Sequence, residues 1–241
     1  MRNLLLLSLF VLSFSFTACE DTKKQAESAP QKSTPKTVDS TTTTQQSRAS
    51  KNERTQALPL LTEANADSLL LAYGKLNPET KARIKTKMGD IEITLNNDTP
   101  IHRANFVYLV KEGYFNNTYF HRVVPNFIIQ AGNSDNIDTN RKRAKIGKYR
   151  LSAELDNGRI HQRGTISGAK NYRENPDKKS SPYEFFIFLG PKSSTSHLNG
   201  NYTIFGRVTK GMDVVDTIAN LPADEGEWPL NNVYIDIELI D

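Results

Sequence analysis

From residue 82 onward, apolar residues come in short runs of strand length, and turn signals break most of them before a helix of ordinary length is reached. Ile84-Lys85-Thr86-Lys87-Met88, a Gly89-Asp90 turn and Ile91-Glu92-Ile93-Thr94-Leu95 read as an antiparallel hairpin. Further runs follow at residues 164–167, 185–189 and 203–208, and the chain closes on the alternating Val233-Tyr234-Ile235-Asp236-Ile237-Glu238-Leu239. Two helices interrupt the series. Thr99 is placed to cap the first, with Pro100 in its first turn, Phe106, Leu109 and Val110 on its apolar face and Gly113 at its end. The second spans residues 211–220, with Met212, Val215 and Ile218 inward. Many short strands and two well-placed helices predict a mainly β fold, an antiparallel barrel closed on itself and capped by the helices.

At the centre lies Phe120-His121-Arg122-Val123-Val124-Pro125-Asn126-Phe127-Ile128-Ile129-Gln130-Ala131-Gly132-Asn133. Alternation puts Phe120, Arg122 and Val124 on one side of the first segment, before a Pro-Asn turn. In the second, Asn126, Ile128 and Gln130 alternate with Phe127, Ile129 and Ala131. A permanent cation and an amide thus stand among large apolar groups. In an arbitrary hairpin such an Arg would simply bridge core and solvent.

This stretch resembles, without gaps, the signature of the cyclophilin family of peptidyl-prolyl cis/trans isomerases. Ala104-Asn105-Phe106, Phe185-Phe186-Ile187, His197-Leu198-Asn199-Gly200 and Thr203-Ile204-Phe205-Gly206-Arg207-Val208 stand in the family's order, so the resemblance covers about residues 82–240. It implies an eight-stranded closed barrel with a helix over each end and the site on its outer wall. It implies isomerisation of X-Pro bonds with Arg122 as the catalytic residue. Phe127, Ile128, Phe186 and Leu198 would hold the proline ring. Gln130 would bond the substrate backbone and steady Arg122, and the backbone at Lys170 would pair with the residue before the proline. Ala169, Glu184, His197 and Tyr202 complete the substrate-binding set.

The chain departs from the family's pattern in places. Ile128 stands where Met is common, and Lys170 where Asn is usual. His197 and Tyr202 replace the Trp and His of eukaryotic members, and Glu184 replaces Gln. Two placements of Glu184 stand open: paired with Arg122, fixing its orientation and partly neutralising its charge, or turned to solvent or toward Lys170.

The amino-terminal part has a different composition. Residues 1–18 have the layout of a lipoprotein signal peptide: Arg2, an apolar run over residues 4–16, and Phe16-Thr17-Ala18-Cys19, which resembles a bacterial lipobox. Cys19 is the only cysteine, which excludes a disulfide within the chain and suits a lipid anchor. Residues 19–57 are rich in Lys, Ser, Thr and Gln, with little apolar surface to bury, and read as a disordered tether. Residues 58–81 carry Ala64, Leu69, Leu70, Leu71, Tyr73 and Leu76, closed by Gly74 and Pro78, and read as a short helical extension of a domain at 82–241.

Other functions find little support. His102, His121, His161 and His197 lack zinc-ligand spacing, and there is no Gly-x-Ser-x-Gly elbow. Arg141-Lys142-Arg143 and Lys145 lie in a polar passage, residues 134–150, that reads as a solvated loop, and a net charge of +4 does not call for a nucleic acid. Rotation about an amide makes and breaks no σ bond, so no metal or cofactor is expected. The expected partners are proline-containing peptides and unfolded exported proteins, met by a monomer held to a bacterial membrane through Cys19. The alternative is a module or chaperone that binds proline peptides on the same fold with low turnover.

Overall fold

The computed structural model describes residues 58–171 and 173–241; the stretches read as signal peptide and tether, with Cys19, lie outside the described residues. In chain order the elements are β1 (Leu61–Thr62), α1 (Ala66–Leu76), β2 (Lys81–Thr86), β3 (Gly89–Leu95), α2 (Pro100–Lys111), β4 (Thr118–Val124), β5 (Ile128–Asn133) and α3 (Ile137–Ile146). After them come β6 (Gly147–Lys148), β7 (Thr165–Gly168), β8 (Phe185–Phe188), a 3-10 turn at Lys192–Thr195, β9 (Ile204–Lys210), α4 (Met212–Ala219) and β10 (Val233–Leu239).

Eight strands close an antiparallel barrel in the order β10-β2-β3-β9-β7-β8-β5-β4, with β4 returning to β10. Ile84, Ile91, Ile93, Ile129, Ala131, Ile166, Ile187, Ile235 and Ile237 fill its interior. Helix α2 packs against β10, and α4 against β3, β4 and β5. Phe106, Leu109, Val215 and Ile218 carry the two helices into the same core, as the sequence predicts.

Four expectations about the turns and helices are corrected. The first hairpin turns at Lys87-Met88, not Gly89-Asp90: Thr86 pairs with Gly89, and the Thr86 hydroxyl accepts the Met88 N–H at 3.0 Å. Gly89 instead opens β3 at φ 131, where an added Cβ would lie 2.8 Å from Val214 of α4. The cap of α2 is not the Thr99 side chain, which bonds Asn96 O. Glu154 does that work, accepting the Ile101 and His102 N–H groups at 3.0 Å each. The passage after β5 is helical over Ile137–Ile146, not a solvated loop. Arg143 lies over the rings of Tyr114 and Tyr183, and Lys142 Nζ donates to the carbonyls of Gly113 and Asn116.

Finally, Gly74 does not end α1, which runs on to Leu76. It permits close approach to α2, since an added Cβ would lie 2.9 Å from the Ala104 Cβ. Arg103, largely buried, then donates to Gly74 O and Asn77 O, satisfying carbonyls at the carboxyl end of α1. Leu61, Ala66, Leu70 and Tyr73 join the barrel's core cluster, and β1 pairs in parallel with β6.

Candidate active site

Register builds the site. On the outer wall Arg122 pairs with Gln130, Gln130 with Phe186, and Phe186 with Ser167, a single row across β4, β5, β8 and β7. One step along, Val124 pairs with Ile128 and Ile128 with Phe188. Strand β8 is buried on both faces because Phe185 and Ile187 enter the barrel while Phe186 and Phe188 form a second apolar cluster outside it.

The pairing of β4 with β5 is irregular on either side of Phe120. The first irregularity falls at Gly132 of β5, whose φ is 102, and the second at His121 of β4. Phe120 therefore points into the barrel while Arg122 and Val124 face outward, so the shared side expected for all three is corrected by the bulge.

Arg122, Phe127, Ile128, Gln130 and Phe186 line an open cleft of about 230 Å³ on this wall. Ala169, Lys170, His197, Leu198 and Tyr202 complete the lining. Phe127 packs edge-on to Phe188 with ring centroids 6.2 Å apart, and Phe186 edge-on to Tyr202 at 5.5 Å. Of the predicted site residues in the described chain, Glu184 alone is not in the lining.

Glu184 does not pair with Arg122. It accepts a hydrogen bond from Gln130 Nε2 at 2.9 Å and lies 3.6 Å from His121 and 3.9 Å from Arg143. Burial alone would push its carboxyl up, but the close approach of His121, the hydrogen bond from Gln130 and the charge of Arg143 hold it below the ordinary carboxylate value. An ionised carboxylate only accepts, so it fixes the Gln130 amide with its nitrogen toward Glu184 and its Oε1 free for the cleft. Nor does Gln130 steady Arg122, since among the described residues no hydrogen bond joins them.

The partner of Arg122 is Glu227. Its carboxylate accepts Arg122 Nε at 2.5 Å, and its backbone carbonyl accepts Val123 N–H at 2.8 Å. Glu227 sits at φ 65 in a tight turn organised by Asp224, whose Oδ1 accepts the N–H groups of Gly226 and Trp228. Holding the guanidinium by Nε leaves Nη1 and Nη2 without partners among the described residues. The charged fork is thus anchored from behind.

A second support was missed as well. Oδ1 of Asn199 accepts the His161 backbone N–H and meets His161 Nδ1, each at 2.8 Å, so Nδ1 carries the proton. Nε2 then accepts from the Ser167 hydroxyl at 2.9 Å. Burial, together with the nearby His197, lowers the His161 pKa against the pull of the Asn199 hydrogen bond. The neutral ring stacks behind Phe186 with 6° between planes and ties the loop bearing His197, Leu198 and Tyr202 to the cleft floor. A lone histidine in the sequence carries no such signal.

Ser180, His102 and Glu154 form a hydrogen-bonded chain at 2.9 and 2.7 Å, which imitates a hydrolytic triad. Ser180 is only 1% exposed, however, so no substrate reaches it. The chain braces the start of α2.

A closed eight-stranded barrel with an anchored guanidinium beside an apolar outer cleft defines the class, and comparison with known proteins agrees. The family described as cyclophilin type peptidyl-prolyl cis-trans isomerase/CLD matches residues 81–238. A peptidyl-prolyl cis-trans isomerase of Acinetobacter baylyi is 42% identical over 157 residues, covering 64% of this chain and 78% of its own. Peptidyl-prolyl cis-trans isomerase-like 3 of Dictyostelium discoideum is 34% identical over 154 residues, covering 63% and 89%. The crystal structure of a Cryptosporidium parvum cyclophilin type peptidyl-prolyl cis-trans isomerase superposes with a TM-score of 0.56 at 29% identity, covering 68% of this chain and 98% of that one. The same protein was solved in the presence of the dipeptide Ala-Pro, with a TM-score of 0.55 at 29% identity over 67% of this chain and 99% of that one. The chain belongs to the cyclophilin-type peptidyl-prolyl cis-trans isomerase family and is an enzyme of that activity.

Proposed function

We propose that this isomerase rotates X-Pro bonds of exported proteins as they fold in a bacterial cell envelope, tethered through a lipid on Cys19. The observation that carries the catalytic part is the guanidinium of Arg122, bound to Glu227 by Nε and open at both Nη groups beside the cleft.

The barrier to amide rotation is about 18–20 kcal/mol because resonance must be lost. In the twisted state the prolyl nitrogen becomes pyramidal and gains a lone pair. An N–H of Arg122 aimed at that nitrogen stabilises the twisted state more than either planar isomer, and such selectivity lowers the barrier. Phe127, Ile128, Phe186 and Leu198 hold the proline ring through apolar contact. Oε1 of Gln130 accepts from the substrate backbone. Among the described residues the N–H and C=O of Lys170 have no partner, which leaves them for the residue before the proline.

The envelope assignment rests on the sequence of residues 1–57, and fractionation tests it. The native chain is expected in the membrane fraction and a Cys19→Ser variant in the soluble one; equal partitioning of the two contradicts the anchor. Binding of proline peptides with isomerisation at background would favour the low-turnover module instead.

A further inference from the structure

We propose that Lys170 makes this isomerase selective for proline bonds flanked by an acidic residue, an inference that rests on the isomerase reading of the same cleft. Two cations line the cleft, and they differ in one respect. Arg122 is neutralised in part by Glu227, whereas no carboxylate among the described residues pairs with Lys170. Several other basic groups are paired: Lys179 and Arg150 share Glu63, Arg163 holds Asp216, and Arg143 approaches Glu184.

The Lys170 ammonium lies over the Tyr202 ring, 4.6 Å from its centroid. The ring holds the cation at the cleft, and among the described residues its N–H donors have no hydrogen-bond acceptor. Lys178 adds a second positive charge, its Nζ donating to Gly200 O at 2.8 Å on the loop that carries Tyr202. Burial and the charge of Lys178 together depress the Lys170 pKa, and the charge of an incoming carboxylate would oppose that shift. Two carboxylates beside the cleft are engaged elsewhere: Glu227 with Arg122, and Glu184 with Gln130. A substrate carboxylate beside the proline would meet Lys170 unopposed, and a substrate lysine would be repelled.

The test uses the full chain and short proline peptides that differ only in carrying Glu, Gln or Lys immediately before or after the proline. At low salt kcat/KM is expected to be about three- to fivefold higher for Glu than for Gln at one of the two positions, the size of a partly exposed ion pair. The preference should shrink as salt is raised. Lys170→Gln is expected to bring the Glu:Gln ratio near one, and Lys170→Glu to invert the order of Glu and Lys peptides. A wild-type enzyme that turns over all peptides equally, or a preference that survives both variants, overturns the inference and leaves the isomerase reading standing. No turnover of any peptide would overturn both.

Discussion

The guanidinium of Arg122 owes its usefulness to a residue 105 positions away. Glu227 grips Nε and, through its carbonyl, the backbone of Val123, so the fork is oriented before a substrate arrives. Glu227→Ala is therefore expected to lower kcat/KM on a neutral Ala-Pro peptide about tenfold. Glu227→Gln keeps an acceptor for Nε and should retain most of the rate. Parallel kinetics on the two variants separate orientation from charge. The motif around Arg122 was legible in the sequence; its partner was not. Glu227 lies in an Asp-Glu-Gly-Glu-Trp turn whose place beside β4 comes only from barrel closure. Glu184, for which pairing with Arg122 was one open placement, instead sets the Gln130 amide, because the bulge at His121 separates the two outward directions.

Among the elements, those with clean periodicity were the readable ones. Strand β10 and helix α4 alternate or repeat as their buried faces demand. Helix α3 could not be read that way, since Ile137 at its start is 65% exposed and only Thr139 and Ile146 are buried. Basic side chains reaching neighbouring rings and carbonyls hold it in place, a tertiary cause with no local pattern. The contact between α1 and α2 makes a sharper prediction. Gly74→Ala forces a methyl group against Ala104 and should cost about 1–3 kcal/mol of stability. Thermal unfolding checks the loss, while kcat on peptides stays near wild type because no residue of α1 or α2 lines the cleft. The His161 support behaves differently. Its folded pKa is depressed, so its contribution to stability is complete above the ordinary value of 6.5 and is lost as pH falls through the folded pKa. His161→Phe should flatten that part of the pH–stability curve.

For the molecule as a whole, the barrel and its outer cleft followed from short strands, two helices and one signature, whereas the placement of irregular segments followed from closure. Acid stability is a property at this scale. Glu184 is held ionised below the ordinary carboxylate value, so its stabilisation is present above that range and disappears as pH falls through the lowered folded pKa. Glu184→Gln is expected to remove that step from acid unfolding followed by circular dichroism. The central claim, that the anchored guanidinium drives rotation of the prolyl bond, is tested most directly by the isomerisation rate of a short Ala-Pro peptide with the full chain and with Arg122→Ala. A fast wild type and a variant slowed by about 10²- to 10³-fold, with peptide binding retained, is the predicted result. Equal rates for the two proteins would contradict it.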